Sequence, residues 1–194
     1  MRTLGDISCH NMRKKEDKSV NPRSQIEVTP AILIFLDTSL VRFSQDLVTL
    51  RNKIVGTLIS RPYNTDTQTH ADSIQWKRTA SEILEDGYVY EGKSCSDLTI
   101  VFLALCLAAG VPGQLVKLKN TQKDGTHSVA EIQLGKVFLS YDIQNNISQP
   151  REGFLAKNSE YTSDSGGQYI VYAKGRDVWD LGLDSMQAEQ SIYG

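Results

Sequence analysis

Cysteine is scarce in this sequence, and the few cysteines form no familiar pattern. Cys9, Cys95 and Cys106 are too few and too unevenly spaced for a disulfide framework, and no two stand at CxxC spacing. The histidines, His10, His70 and His127, lie far apart, so no ligand set stands at zinc spacing. Neither a metal nor any other cofactor is expected. Excess positive charge is also missing. The net charge is −2, and basic residues do not interleave with aromatics, which leaves no footprint for nucleic acid. Long apolar runs are absent. "AILIFL" (31–36) is far too short to span a bilayer, and the apolar stretch after Cys95 is flanked by polar residues. The opening "MRTLGDISCHNMRKKEDKSV" lacks the apolar centre of a signal peptide. These absences predict a cytoplasmic protein in a reducing compartment, with no membrane or nucleic-acid partner. Oligomeric state is not legible, and there are no internal repeats.

What is present fits one globular domain. Apolar residues make up 40% and charged residues 23% of 194, enough for a real core and a tail. Residues 1–29 have mixed charge, few large apolar side chains and "NPRS", and read as a flexible tail. The single domain is expected over 30–185, with 186–194 fraying after Trp179 and Leu181 have packed. Between Pro30 and Ser60, Leu40, Phe43, Leu47, Leu50, Ile54 and Leu58 recur at helical spacing. A second helix is expected from a cap at Asp72 or Ser73 to Asp86, with Ile74, Trp76, Ala80, Ile83 and Leu84 on one face and Gly87 ending it. A third starts at Ser94, with Asp97 in capping-box position, and stops at Gly110 and Pro112. Strands follow: "QLVKLK" (114–119), "HSVAEIQL", "VFLSYD" and "QYIVYAKG" (168–175). Helices first and strands later predict an α+β fold, helices packed on a mainly antiparallel sheet.

Cys95 sits at the seam where "EGKSCSD" gives way to an apolar helix. A helix N-terminus presents unpaired N–H groups and partial positive charge, which favour a thiolate and can later hold an oxyanion. A free cysteine at such a place can equally be a small buried residue. Cys106, three turns on, reads as core, and Cys9 as incidental.

A thiolate needs a base. His10 falls in the tail and His70 in a polar loop, whereas His127 opens a strand. Taken alone it could be an ordinary surface histidine. The hairpin gives it a partner. Gly135-Lys136 suits a two-residue type II′ turn, which pairs Leu134 with Val137 and sets Val129 opposite Asp142. His127 shares a face with Val129, so Asp142 is its diagonal neighbour, within reach of an imidazole. The other face, Ala130, Ile132, Leu134, Val137, Leu139 and Tyr141, is core material, and a one-residue slip would undo the arrangement. Cys95, His127 and Asp142 can therefore form a triad in which a third group orients the base. A second oxyanion donor is not evident: Trp76, Tyr88 and Tyr90 could supply it or line an acyl pocket, and Trp76 could simply be core.

"GKSCSDLTIVFLALCLAAGVPGQLV" followed by "GTHSVAEIQLGKVFLSYD" resembles the transglutaminase-like superfamily, whose papain-like core is shared by peptide:N-glycanases and many microbial cysteine proteases. The likeness covers roughly residues 72–146. Ser94 and Lys93 separate Gly92 from Cys95, and Gln114, Val129 and Phe138 stand where the family often has Arg, an aromatic and Trp. The resemblance implies that Cys95 is the nucleophile, His127 the general base and acid, and Asp142 the orienting group. It implies acyl transfer from amide bonds of a peptide or protein substrate, by a cysteine protease or amidase. A cross-linking transglutaminase and a non-catalytic binding domain are the alternatives.

Overall fold

The computed structural model describes residues 24–36, 41–145 and 149–193. Cys9, His10 and Leu40 lie outside the described residues. Helices come first: α1 (Pro30–Leu36), α2 (Ser44–Thr57), α3 (Gln68–Ile74), α4 (Ala80–Asp86) and α5 (Cys95–Ala108). Among them, β1 (Ile59–Arg61) and β2 (Tyr88–Tyr90) form a parallel pair. The main sheet follows, with β3 (Gly113–Asn120), β4 (Thr126–Leu134), β5 (Val137–Tyr141), β6 (Arg151–Glu152), β7 (Glu160–Thr162) and β8 (Gln168–Gly175). Its order is β6-β5-β4-β3-β8-β7 and its pairings are antiparallel. The short α6 (Met186–Tyr193) comes last. This is the α+β class that the order of periodicities predicts. None of the described helices is long and apolar enough to cross a membrane.

The centre of the molecule is α5. It is apolar on all sides, and its residues Ser96 to Cys106 are buried. It packs on α1, α2 and α4 and against β3 and β4. Each large apolar side chain withdrawn this way contributes about 1.5–3 kcal/mol, so the first residue of α5 is rigidly placed. After Pro112 the chain turns straight into β3. At Gly113 a Cβ would lie 2.7 Å from Ile132 Cδ1 and 2.8 Å from Leu103 Cδ2, so any larger residue would have to push these side-chain ends aside. The β4–β5 hairpin has the expected register: Leu134 pairs with Val137 and Ala130 with Tyr141, around Gly135 at φ 63°. Both faces of this hairpin are covered. Ala130, Ile132, Leu139 and Tyr141 join the main core, and Val129 joins a second cluster with Val116, Leu118, Tyr161 and Val171.

Several expectations need correction. The tail boundary lies too late, because Gln25 is buried, bonding the carbonyls of Trp76 and Arg78 with its side chain and Asp177 with its backbone N–H. The apolar spacing over 30–60 spans two helices, and Phe43 stands at the N-cap of α2, exposed. The helix expected over 72–86 is two helices. Trp76 takes a left-handed φ of 60° between them, and α4 starts from a Thr79–Glu82 capping box. The C-terminal segment is helical, with Glu189 buried.

Candidate active site

Cys95 is half-buried at the first position of α5. The capping box expected at this end does not form. Ser94 already has helical angles and its side chain makes no cap bond. Asp97 is drawn instead to Arg78, which also bonds Asp86 at 2.8 Å and the Tyr88 carbonyl at 3.2 Å. The first-turn N–H groups are thus left uncapped by Ser94, as an anion site requires. Ser96 anchors this turn. Its Oγ accepts from Trp76 Nε1 (3.1 Å) and lies 2.9 Å from Ser128 Oγ, beside His127 on β4. Thr99 Oγ1 donates to the Cys95 carbonyl at 2.7 Å.

His127 Nε2 lies 2.7 Å from Asp142 Oδ2, and the carboxylate is fully buried. The diagonal neighbours of the hairpin therefore meet. With Nε2 engaged, Nδ1 is the nitrogen left for the thiol, and His127 and Cys95 stand close enough to shift each other's pKa. Asp142 also accepts from the backbone and side-chain nitrogens of Asn145. That turn is tied to α2 by Arg51, whose guanidinium donates to the carbonyls of Ile143 (3.1 Å) and Asn145 (2.9 Å). The Tyr169 ring packs 5.7 Å from the imidazole.

Charge follows from this geometry. Burial alone would raise the Cys95 thiol, but its hydrogen bond to His127, the charges of His127 and Lys117 and a hydrogen bond to Ser128 outweigh it, and the pKa falls to about 7. Burial would lower His127, but the hydrogen bonds and charges of Asp142 and Cys95 carry it up to about 10. Asp142 stays below the usual carboxylate range despite burial, held there by His127 and Asn145. The thiol ionises above about 7 and the imidazole keeps its proton below about 10, so a thiolate–imidazolium pair occupies the window between. By contrast, burial pushes the Cys106 thiol far up. Iodoacetamide is expected to modify Cys95 well before Cys106, at a rate that rises as pH passes about 7. Mass-spectrometric mapping checks this, and an inert Cys95 beside a reactive Cys106 would contradict it.

A cavity of about 530 Å³ opens on Cys95, with Gln75, Trp76, Lys93, Lys117 and Thr126 in its walls. Trp76 serves both as core and as cavity wall. It is 3% exposed, and its left-handed backbone is held by Gln25 and Trp179 Nε1 (2.8 Å) on its carbonyl. Its indole N–H is spent on Ser96, so it is not the second oxyanion donor. Tyr88 and Tyr90 are not either. They pack with Ala71, and the Tyr88 hydroxyl is 3.0 Å from His70 Nε2. Gln75 went unnoticed in the sequence. Its Oε1 accepts from Lys93 Nζ at 3.3 Å, leaving the amide NH2 as its donor end on the cavity wall. Among the described residues, no cluster of His, Cys, Asp and Glu has the makings of a metal site.

No protein-family model matches this sequence, and no curated protein does. Among solved structures, LapG of Legionella pneumophila superposes with a TM-score of 0.50 at 16% identity, over 82% of this chain and 85% of LapG. The fold is transglutaminase-like. A Cytophaga hutchinsonii protein provisionally described as a cysteine protease gives a TM-score of 0.38 at 17% identity. That alignment covers 81% of this chain, which spans only about half (51%) of the Cytophaga protein. In the transglutaminase-like fold of this chain, the helix N-terminus and the β4–β5 hairpin bring Cys95, His127 and Asp142 together. Ser96, Ser128, Asn145 and Arg51, which carry no motif, hold them there.

Proposed function

We propose that this protein is a thiol-dependent hydrolase of amide bonds in a peptide or protein, a cysteine protease or amidase. Cys95 is its nucleophile, His127 its general base and acid, and Asp142 the group that orients His127. The observation that carries this reading is a half-buried thiol at a helix start, electrostatically coupled to an imidazole that lies 2.7 Å from a fully buried carboxylate. A merely structural cysteine has no use for an imidazolium partner.

The Cys95 thiolate attacks the substrate carbonyl and forms a C–S bond, and the carbonyl π pair moves onto oxygen. The oxyanion is met by the Cys95 backbone N–H and by the Gln75 amide. Collapse breaks the C–N bond as imidazolium His127 hands its proton to the leaving amine. A thioester remains. Water then adds, His127 takes its proton, and cleavage of the C–S bond releases a carboxylic acid and the thiolate. Water as the second acceptor makes the protein a hydrolase, and a substrate amine in its place would make it a cross-linking transglutaminase. Incubation with a peptide-amide library and a fluorescent alkylamine should yield cleaved acids and no amine adducts. Amine adducts alone would turn the reading towards transamidation. In the same assay Gln75→Ala should lower kcat about 10²-fold with little change in KM, the signature of a lost oxyanion donor. An unchanged kcat would remove Gln75 from the mechanism.

A further inference from the structure

The wall of the Cys95 cavity contains a buried ion pair whose carboxylate the proposed chemistry does not use. Lys117 Nζ lies 2.9 Å from Glu189 Oε1, with side chains 1% and 2% exposed. The same oxygen accepts from Thr126 Oγ1 (2.8 Å) and Tyr172 OH (2.8 Å). The three donors come from β3, β4 and β8. Tyr172 is the extra residue of an irregularity in β8, where Lys117 pairs with Ala173 but Leu118 with Val171. Irregularities of this kind re-aim side chains near functional sites. The Trp76 ring flanks Lys117 Nζ at 5.2 Å. The sheet thus builds a complete cradle for one carboxylate, next in sequence to His127.

The carboxylate that fills it comes from α6, the last described helix. In α6, Glu189 is buried, whereas Gln187, Gln190, Ser191 and Ile192 are exposed. Among the described side chains of α6, the other hydrogen bonds are local, from Ala188 N–H to Ser185 Oγ and from Ser191 Oγ to the Ala188 carbonyl. A helix that needed only an anchor would dock more cheaply through an apolar side chain, because burying an ion pair carries a desolvation cost. A carboxylate so held can be exchanged for another carboxylate.

We infer that Lys117, Thr126 and Tyr172 form a carboxylate-binding subsite in the wall of the Cys95 cavity. Glu189 fills it in cis here, and a substrate carboxylate takes it over when α6 moves away. The word substrate rests on the hydrolase reading, and the binding itself does not. The incoming group is either an acidic side chain near the scissile bond or a C-terminal carboxylate.

The test uses the full chain carrying Glu189→Ala, and two probes: N-acetylglutamic α-amide for the side chain and N-acetylalanine for the C-terminus. At ten times its Kd, the fitting probe should raise Tm by about 3 °C or more. The same ionic strength of chloride should not. The unsubstituted chain, whose own Glu189 competes, should respond only at much higher probe concentration, and Glu189→Ala/Lys117→Met should not respond to either probe. Which probe acts identifies the source. If Glu189→Ala is unfolded in chloride, the same titration reads recovery of the fold by near-UV circular dichroism. No response beyond chloride to either probe, or an equal response from the double variant, would overturn the inference. A chain that binds the probe yet cleaves no amide would refute the hydrolase reading and leave the subsite standing.

Discussion

Cys95→Ala should reduce amide hydrolysis to background, a fall of about 10⁶-fold in kcat, the scale seen when a covalent nucleophile is removed. Among the described residues, the site has no second thiol to take over. Cys106 is fully buried in the core and its pKa is pushed far up, so it cannot present a thiolate to the cavity. Cys95→Ser should be nearly as inactive, because a hydroxyl does not ionise beside His127 at neutral pH and the thiolate–imidazolium pair is lost. Neither substitution should unfold the protein. Cys95 is half-buried, and its turn is held through Ser96, Thr99 and its own carbonyl. Initial rates with a peptide amide, beside far-UV circular dichroism, measure both halves. Residual activity within a hundredfold of the unsubstituted chain would remove Cys95 as nucleophile.

Asp142→Asn should lower turnover by about 10⁴-fold, because the amide cannot hold the charged imidazole in its tautomer and orientation. The hydrogen bond to His127 Nε2 and those from Asn145 all converge on this one carboxylate. The change is nearly isosteric, so the β4–β5 hairpin should keep its register. His127→Ala should cost at least as much. The double variant should lose little more than His127→Ala alone, since groups acting as a unit are not additive. Steady-state kcat values for the four proteins close the cycle. Losses that multiply would mean that the two residues act separately, and the triad would have to be abandoned.

How far this site can be read from sequence depends on the range of the interactions that build it. The hairpin is legible because Gly135-Lys136 fixes the strand parity, and parity alone decides that His127 and Asp142 meet. The apolar run after Asp97 is legible as a central helix because every residue from Leu98 to Ala108 except Thr99 is apolar. The errors lie where distant partners decide local structure. Apolar spacing runs unbroken from Ile74 to Leu84, but Gln25 and Trp179, far away in the chain, hold the Trp76 carbonyl and help turn its backbone left-handed. Ser94 and Asp97 have the spelling of a capping box, yet buried Arg78 takes Asp97. Gln25 looks like a tail residue until Asp177 meets it from the other end of the chain. The partnership of Lys117 with Glu189 spans the β4, β5 and β8 strands in sequence and has no local signal.

The central claim is that acyl transfer passes through a thioester on Cys95. Rapid mixing with a p-nitrophenyl ester of an acyl-peptide, acid quench and intact-mass measurement test it most directly. The account predicts one added acyl mass, mapped to Cys95, removed by neutral hydroxylamine and absent from Cys95→Ala. It also predicts that His127→Ala slows the appearance of that mass. An acyl group mapped to another residue, or ester turnover at the unsubstituted rate in Cys95→Ala, would contradict it.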